Sequence, residues 1–126
     1  MKTLLLALTL LTTASAWAQW VRVDGFVDEH SFYYDPSTIR KDGNFRKVWE
    51  LRDLKSPNQD GELSEKTRKE YDCQQERFQT LFLSTHINQM GRGMSNSMLS
   101  SAPSAVWSYI QPGSASELML KIVCAK

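Results

Sequence analysis

The sequence predicts an α+β fold: an antiparallel β-sheet of about five or six strands with a C-terminal helix packed on one face. Three observations predict it. Apolar and polar residues alternate at period two in Trp20–Val23, Phe45–Leu54 and Arg77–Thr85; that is the spacing of a strand with one buried face. Turn residues separate these runs, as in Lys41-Asp42-Gly43-Asn44. Near the C-terminus, Ser114-Ala115-Ser116-Glu117 matches the S-x-x-E capping box and leads into an apolar run, Leu118 to Cys124. There the serine oxygen and the glutamate carboxylate each satisfy a free backbone N–H.

The elements follow in order. Trp20-Val21-Arg22-Val23 is a first strand, broken by Asp24-Gly25. Ser31-Phe32-Tyr33-Tyr34 is a second short strand, rich in the aromatics that suit a pleated surface. Asp35-Pro36-Ser37 then opens a turn, because proline fixes its own φ and aspartate bonds locally to backbone. Phe45–Leu54 is the longest alternating run. Its Phe45, Trp49 and Leu51 share one parity and are expected to be buried; Arg46, Val48, Glu50, Arg52 and Leu54 share the other. Residues 56–61 are a loop by composition. The charged stretch 62–77 lacks a helical apolar stripe and reads as strand, with Tyr71 and Cys73 able to point inward. Arg77–Thr85 is a central strand with both faces partly covered. Asn88–Pro103 is a flexible loop or a loose hairpin, and Ala105–Ile110 a short strand or a helical turn. Residues 115–125 form the helix, its apolar surface broad enough to be buried on more than one side.

The chain of 126 residues has room for one domain. Residues 1–18 have the layout of a secretory signal peptide, and residues 19–126 form the expected domain. Lys2 supplies the positive start, Leu4–Leu11 the apolar run, and small residues follow. Cleavage after Ala18 or after Ala16 satisfies the A-x-A rule; the first begins the product directly before Trp20. The apolar run falls short of the about 20 residues that span a bilayer. Removing Lys2 cancels the formal net charge of +1, so long-range attraction to nucleic acid or anionic lipid is not expected. No cysteine lies near either cut, so the product is expected to be unlipidated, exported, and periplasmic or at the cell surface. No transmembrane segment is expected.

In an oxidising compartment the two cysteines have one internal pairing, Cys73 with Cys124. They are too far apart in sequence to resemble a C-x-x-C redox pair.

At these residues the chain resembles a known family. Trp20-Val21-Arg22-Val23, Tyr34-Asp35-Pro36-Ser37-Thr38-Ile39, Lys47-Val48-Trp49, Glu70-Tyr71-Asp72-Cys73 and Pro112-Gly113-Ser114 before a helix ending in cysteine are similar, in that order, to the surface-adhesin protein E family. These are small exported proteobacterial proteins. The resemblance implies an antiparallel sheet with a helix packed on it, a disulfide between the two cysteines, and binding of host matrix or serum proteins.

Candidate sites divide between sharp and bland readings. His86, Met90, Met94 and Met98 recur every four residues, a soft donor set that suits copper(I); equally, methionines fill gaps against a sheet. His30 beside Asp28 and Glu29 could act as a base, but no G-x-S-x-G or H-E-x-x-H accompanies it, so no catalytic residue, metal or cofactor is expected and the protein reads as a non-enzyme. Trp20, Trp49, Trp107, Tyr33, Tyr34, Tyr71 and Tyr109 serve a core or a partner surface. Lys66, Arg68 and Lys69, interleaved with Glu65 and Glu70, read as a solvated strand face or a patch for an acidic partner. One helix covers one sheet face, so the other meets solvent, a protein partner or a second copy in a homodimer. The expected function is a binding domain; the alternative is a periplasmic envelope protein with a structural role and no host ligand.

Overall fold

The computed structural model describes residues 19–26, 28–99 and 106–125, with the backbone alone at residues 96–99. The signal peptide expected over residues 1–18 lies outside the described residues. Among the described residues seven strands, β1 Val21–Val23, β2 Ser31–Asp42, β3 Phe45–Asp53, β4 Ser64–Asp72, β5 Arg77–His86, β6 Ser95–Leu99 and β7 Ser108–Tyr109, precede one α-helix, α1 Ala115–Cys124. Every pairing is antiparallel, and β1 to β6 lie side by side in chain order. β7 is a two-residue addition that shares the outer edge of β5 with β6.

Local chemistry explains the order. β2 and β3 are joined through Gly43, whose φ of +55° lies in the left-handed region that glycine enters without strain. Asp72 organises the next connection: its Oδ1 accepts from Gln74 N–H and Gln75 N–H, and its Oδ2 from Arg77 Nε–H at 3.0 Å. Ser114 caps α1, its Oγ accepting from Glu117 N–H at 3.2 Å. The disulfide joins Cys73, just after β4, to Cys124 at the end of α1, Cα to Cα 5.8 Å.

The turn expected at Asp35-Pro36-Ser37 is instead a bulge inside one long strand. Register is lost between Asp35 and Arg40, so Pro36 to Ile39 oppose Val48 alone. The local bonds that suggest a turn are present: Asp35 Oδ1 accepts from Ser37 N–H and from its hydroxyl at 2.6 Å. Thr38 Oγ1 accepts from Trp49 N–H at 3.0 Å, which holds the bulged segment to β3. A bulge leaves backbone unpaired, where proline costs no ladder bond.

α1 packs Met119, Leu120 and Val123 onto Val23, Val48 and Tyr71. It therefore covers the Arg46, Val48 and Glu50 side of β3, not the expected Phe45, Trp49 and Leu51 side. Charged residues enter this buried face because each has partners. Arg46 Nη1 donates to the carbonyls of Gly43 and Phe45. Glu50 accepts from Tyr71 and pairs with Lys69. Residues 88–99 form a single 3-10 turn at Gln89–Gly91 followed by β6.

Glu62 and Asp72 are buried carboxylates that fix loops at opposite ends of β4. Hydrogen bonds from Thr85 and then Asn58 hold the Glu62 pKa below its ordinary 4.5, against a smaller cost of burial. Burial raises the Asp72 pKa, but the bonds from Gln75, Arg77 and Gln74 and the Arg77 charge together bring it below 3.8. Both groups thus add stability that is present above their ordinary pKa values and lost as pH falls through the folded ones. The thermal midpoint should hold steady from neutrality down to about pH 5 and then fall. Glu62→Gln should flatten the upper part of that decline in a pH series of melts.

Candidate binding face

The sheet face away from α1 is built in rows by the cross-strand register. Asp35, Trp49, Arg68 and Phe82 form one row; Tyr33, Leu51, Lys66 and Ser84 the next; Arg40, Lys47, Glu70 and Gln79 the row on the other side. The Trp49 and Phe82 rings meet edge to face across β4, centroids 5.5 Å apart. Trp20, just before β1, joins Trp49, Asp35, Thr38 and Lys66 around a pocket of about 200 Å³.

Two covers flank the centre of this face. At one end the Gln89–Gly91 turn is tied down by Met90 N–H to Asp53 Oδ1 (2.7 Å), Gly91 N–H to Ser64 Oγ (2.9 Å) and Ser64 Oγ–H to Asn88 O (2.5 Å). It buries Leu51 to 1 % exposure. Gly91 has φ +69°, which favours glycine, and a Cβ there would stand 2.6 Å from Lys66 Cδ and make the Lys66 side chain shift. At the other end Trp107 packs at a tilt on Phe45, centroids 5.9 Å apart, and its ring centroid lies 4.5 Å from the guanidinium of Arg77, which pairs with buried Asp72.

Charge is distributed unequally between the two faces. On the α1 side, Lys69 pairs with Glu50 at 3.3 Å and Arg52 with Glu65 at 2.7 Å. On the open side, Lys47, Lys66 and Arg68 have no ion pair among the described residues. The acids of that side are engaged elsewhere: Glu70 accepts from Gln79, Asp35 from Ser37 and Gln19, Asp53 from Met90. The basic cluster expected as one patch is thus split, Lys69 to the helix side and Lys66 and Arg68 to the open side. Those acids keep their charge, and in the three central rows Arg40, Lys47, Lys66 and Arg68 outnumber Asp35 and Glu70.

The other candidates have structural partners. With Nδ1 carrying the proton, His86 donates to Gly93 O (3.3 Å) and its Nε2 accepts from Ser84 Oγ–H (2.9 Å). Met94 is 75 % exposed, and the Met98 side chain lies outside the described residues. A copper ion at His86 would have to displace one of those bonds. His30 N–H donates to Asp28, and His30 Nδ1 accepts from Lys55 N–H at 3.2 Å, which clamps the start of β2 to the end of β3. Among the aromatics, Tyr71 is core, Tyr34 flanks the core, Trp20 and Trp49 line the open pocket, Trp107 covers its neighbour, and Tyr109 is 70 % exposed. No described helix is long and apolar enough to cross a membrane.

A sequence profile described as surface-adhesin protein E matches residues 20–125. The chain belongs to that family. Among solved structures, Haemophilus influenzae protein E superposes with a TM-score of 0.61 at 14% identity, over 84% of this chain and 83% of that one. Its crystal form II gives a TM-score of 0.60 at 14% identity, over 75% and 80%. Protein E from non-typeable Haemophilus influenzae gives 0.57 at 13%, over 89% and 79%. At such identities these likenesses speak for the fold. No curated protein matches the chain significantly. Membership of an adhesin family makes an adhesin-like surface role the coarse function.

Proposed function

We propose that this adhesin E-family chain is an exported, non-enzymatic domain that binds a protein partner through the open sheet face around Trp49. The observation that carries this is the contrast between faces: on the helix side Lys69 and Arg52 are ion-paired, whereas on the open side Lys47, Lys66 and Arg68 have no ion pair among the described residues and flank the half-buried Trp20 and Trp49. Aromatic and cationic side chains together are the composition of binding hot spots. Adhesion to a host protein and attachment to an envelope component differ in where the face is displayed.

A photo-cross-linking residue placed at Lys47 in the source cell should give an adduct with another protein. The same residue at Lys121, on the outer side of α1, should not. Adducts from Lys121 alone, or none from either, would sink the proposal. Protease added to intact cells decides the setting. Digestion there places the partner outside the cell; protection until the outer membrane is opened places it within the envelope.

A further inference from the structure

Resting on that reading of the open face, we infer that its occupant is an acidic segment of another protein, one that seats an apolar ring in the Trp20–Trp49 pocket and lays carboxylates on Lys66, Arg68 and Lys47. Three properties of the face select this chemistry.

The first is charge. In the three central rows Arg40, Lys47, Lys66 and Arg68 outnumber Asp35 and Glu70, with Arg68 opposite Trp49 and Lys66 lining the pocket, so the face around it carries a net excess of cations. The same feature disfavours a second copy of the chain. A two-fold contact through this face would bring together two surfaces that each carry an excess of cations in their central rows, which opposes close approach as they lose water.

The second is the pocket's chemistry. Its walls are two indoles. Its polar members are already used: Asp35 accepts from Ser37 and Gln19, and Thr38 Oγ1 donates to Asp35 O and accepts from Trp49 N–H. The Lys66 ammonium is the charged group of the lining with no bond inside the described structure. A hydroxyl-rich sugar ring entering here would give up hydrogen bonds to water and find few to replace them, which costs free energy for each unmatched group. An apolar ring loses nothing, and a neighbouring carboxylate satisfies Lys66.

The third is size. The space of about 200 Å³ is smaller than the roughly 300–1,000 Å³ of sites that enclose a small molecule. It suits one side chain from a longer segment, whose flanks then run over the centre of the face between the Gln89–Gly91 turn and Trp107.

The test is a random twelve-residue peptide display library panned on the protein exported from cells carrying the full chain. Enriched sequences should carry Phe, Tyr or Trp with two or more Asp or Glu within three positions. A synthetic peptide of that consensus should bind about tenfold more weakly to the double variant Lys66→Gln, Arg68→Gln, and again about tenfold more weakly to Trp49→Ala. Lys121→Gln should bind as the parent does; each variant should retain its disulfide, the two charge variants should keep the parent melting midpoint, and Trp49→Ala is compared well below its own, lower midpoint. Enrichment without acidic residues, or binding unchanged in the double variant, overturns the inference. So does an absence of enriched peptides. If, in that case, a heparin oligosaccharide or phosphatidylglycerol vesicles bind and the double variant does not, the open face remains a binding face but its occupant is an anionic polymer or surface. If sedimentation shows a dimer that Trp49→Ala dissociates, the face is an interface between copies, and both this inference and the proposed function fall.

Discussion

Reduction of the Cys73–Cys124 bond lowers the thermal midpoint by roughly 15 °C or more, the largest single effect expected of a change that removes no packed side chain. The bond closes a loop with a sequence separation of 51. Constraint of the unfolded chain by such a loop is worth about 4 kcal/mol in the chain-entropy picture. The architecture concentrates that effect on α1. A helix of ten residues is below the length of about 12–15 at which isolated helices become marginal in water, so it persists only through its packing and its tether. Without the bond, Met119, Leu120 and Val123 still meet Val48 and Tyr71, but nothing holds the last turn of the helix to the end of β4. Hydrogen exchange should therefore accelerate first in α1, with the β3–β4 ladder the last to open. Calorimetry with and without reductant, and with Cys73→Ala plus Cys124→Ala, measures the effect. No free thiol should be titratable before reductant is added. A midpoint unchanged within two or three degrees would mean that packing alone anchors the helix.

Much of this architecture was legible because the chain is a meander of neighbouring strands. Period-two alternation, Gly43 between β2 and β3, and the serine cap of α1 are local signals, and each maps onto the element it announces. Two features were not local. Which side of β3 faces the helix depends on partners elsewhere: Glu50 reads as a surface residue until Tyr71 and Lys69 are seen beside it. Apolar counting along β3 favoured the Trp49 side for the same reason, and Leu51 on that side is indeed buried, but beneath the Gln89–Gly91 turn. The bulge in β2 was misread because Asp35-Pro36-Ser37 makes the same side-chain bonds in a turn and in a bulge. The binding face was the least visible. Trp20, Trp49, Lys66 and Arg68 come from β3, β4 and the segment before β1, and only the register Trp49 to Arg68 and Leu51 to Lys66 brings them together. Parity within single strands was a usable clue to the sidedness of Lys66 and Arg68 against Lys69; the absence of partner acids was not.

Tyr71→Ala should destabilise the fold by about 3–5 kcal/mol, the range for removing a large buried ring. The ring is fully buried against Val48 and the helix, and lies 6.0 Å from that of Phe78. Tyr71→Phe separates the ring from its hydroxyl. In the parent the hydroxyl donates to Glu50 Oε2 at 2.6 Å, and Lys69 Nζ approaches Glu50 Oε1 at 3.3 Å. Phenylalanine leaves a buried carboxylate with one donor fewer, which costs about 1–3 kcal/mol. The two variants also differ from the parent in alkali. Burial, then the Glu50 charge and the hydrogen bond to it, raise the Tyr71 pKa well above its ordinary 10.0. Above pH 10 the unfolded chain releases the phenolic proton while the folded chain keeps it. The stability Tyr71 contributes is therefore complete below pH 10 and lost as pH rises toward the folded pKa. Denaturant melts from pH 7 to about pH 11 should show a steep alkaline decline in the parent and a shallower one in Tyr71→Phe. Tyr109→Phe, at a residue 70 % exposed, should follow the parent. Because Arg68 and Glu70 point to the opposite side of β4 from Tyr71, the phenylalanine variant should also bind through the open face as the parent does. If it loses binding while still folded, the buried Tyr71–Glu50–Lys69 network sets the shape of the open face as well as the stability of the sheet.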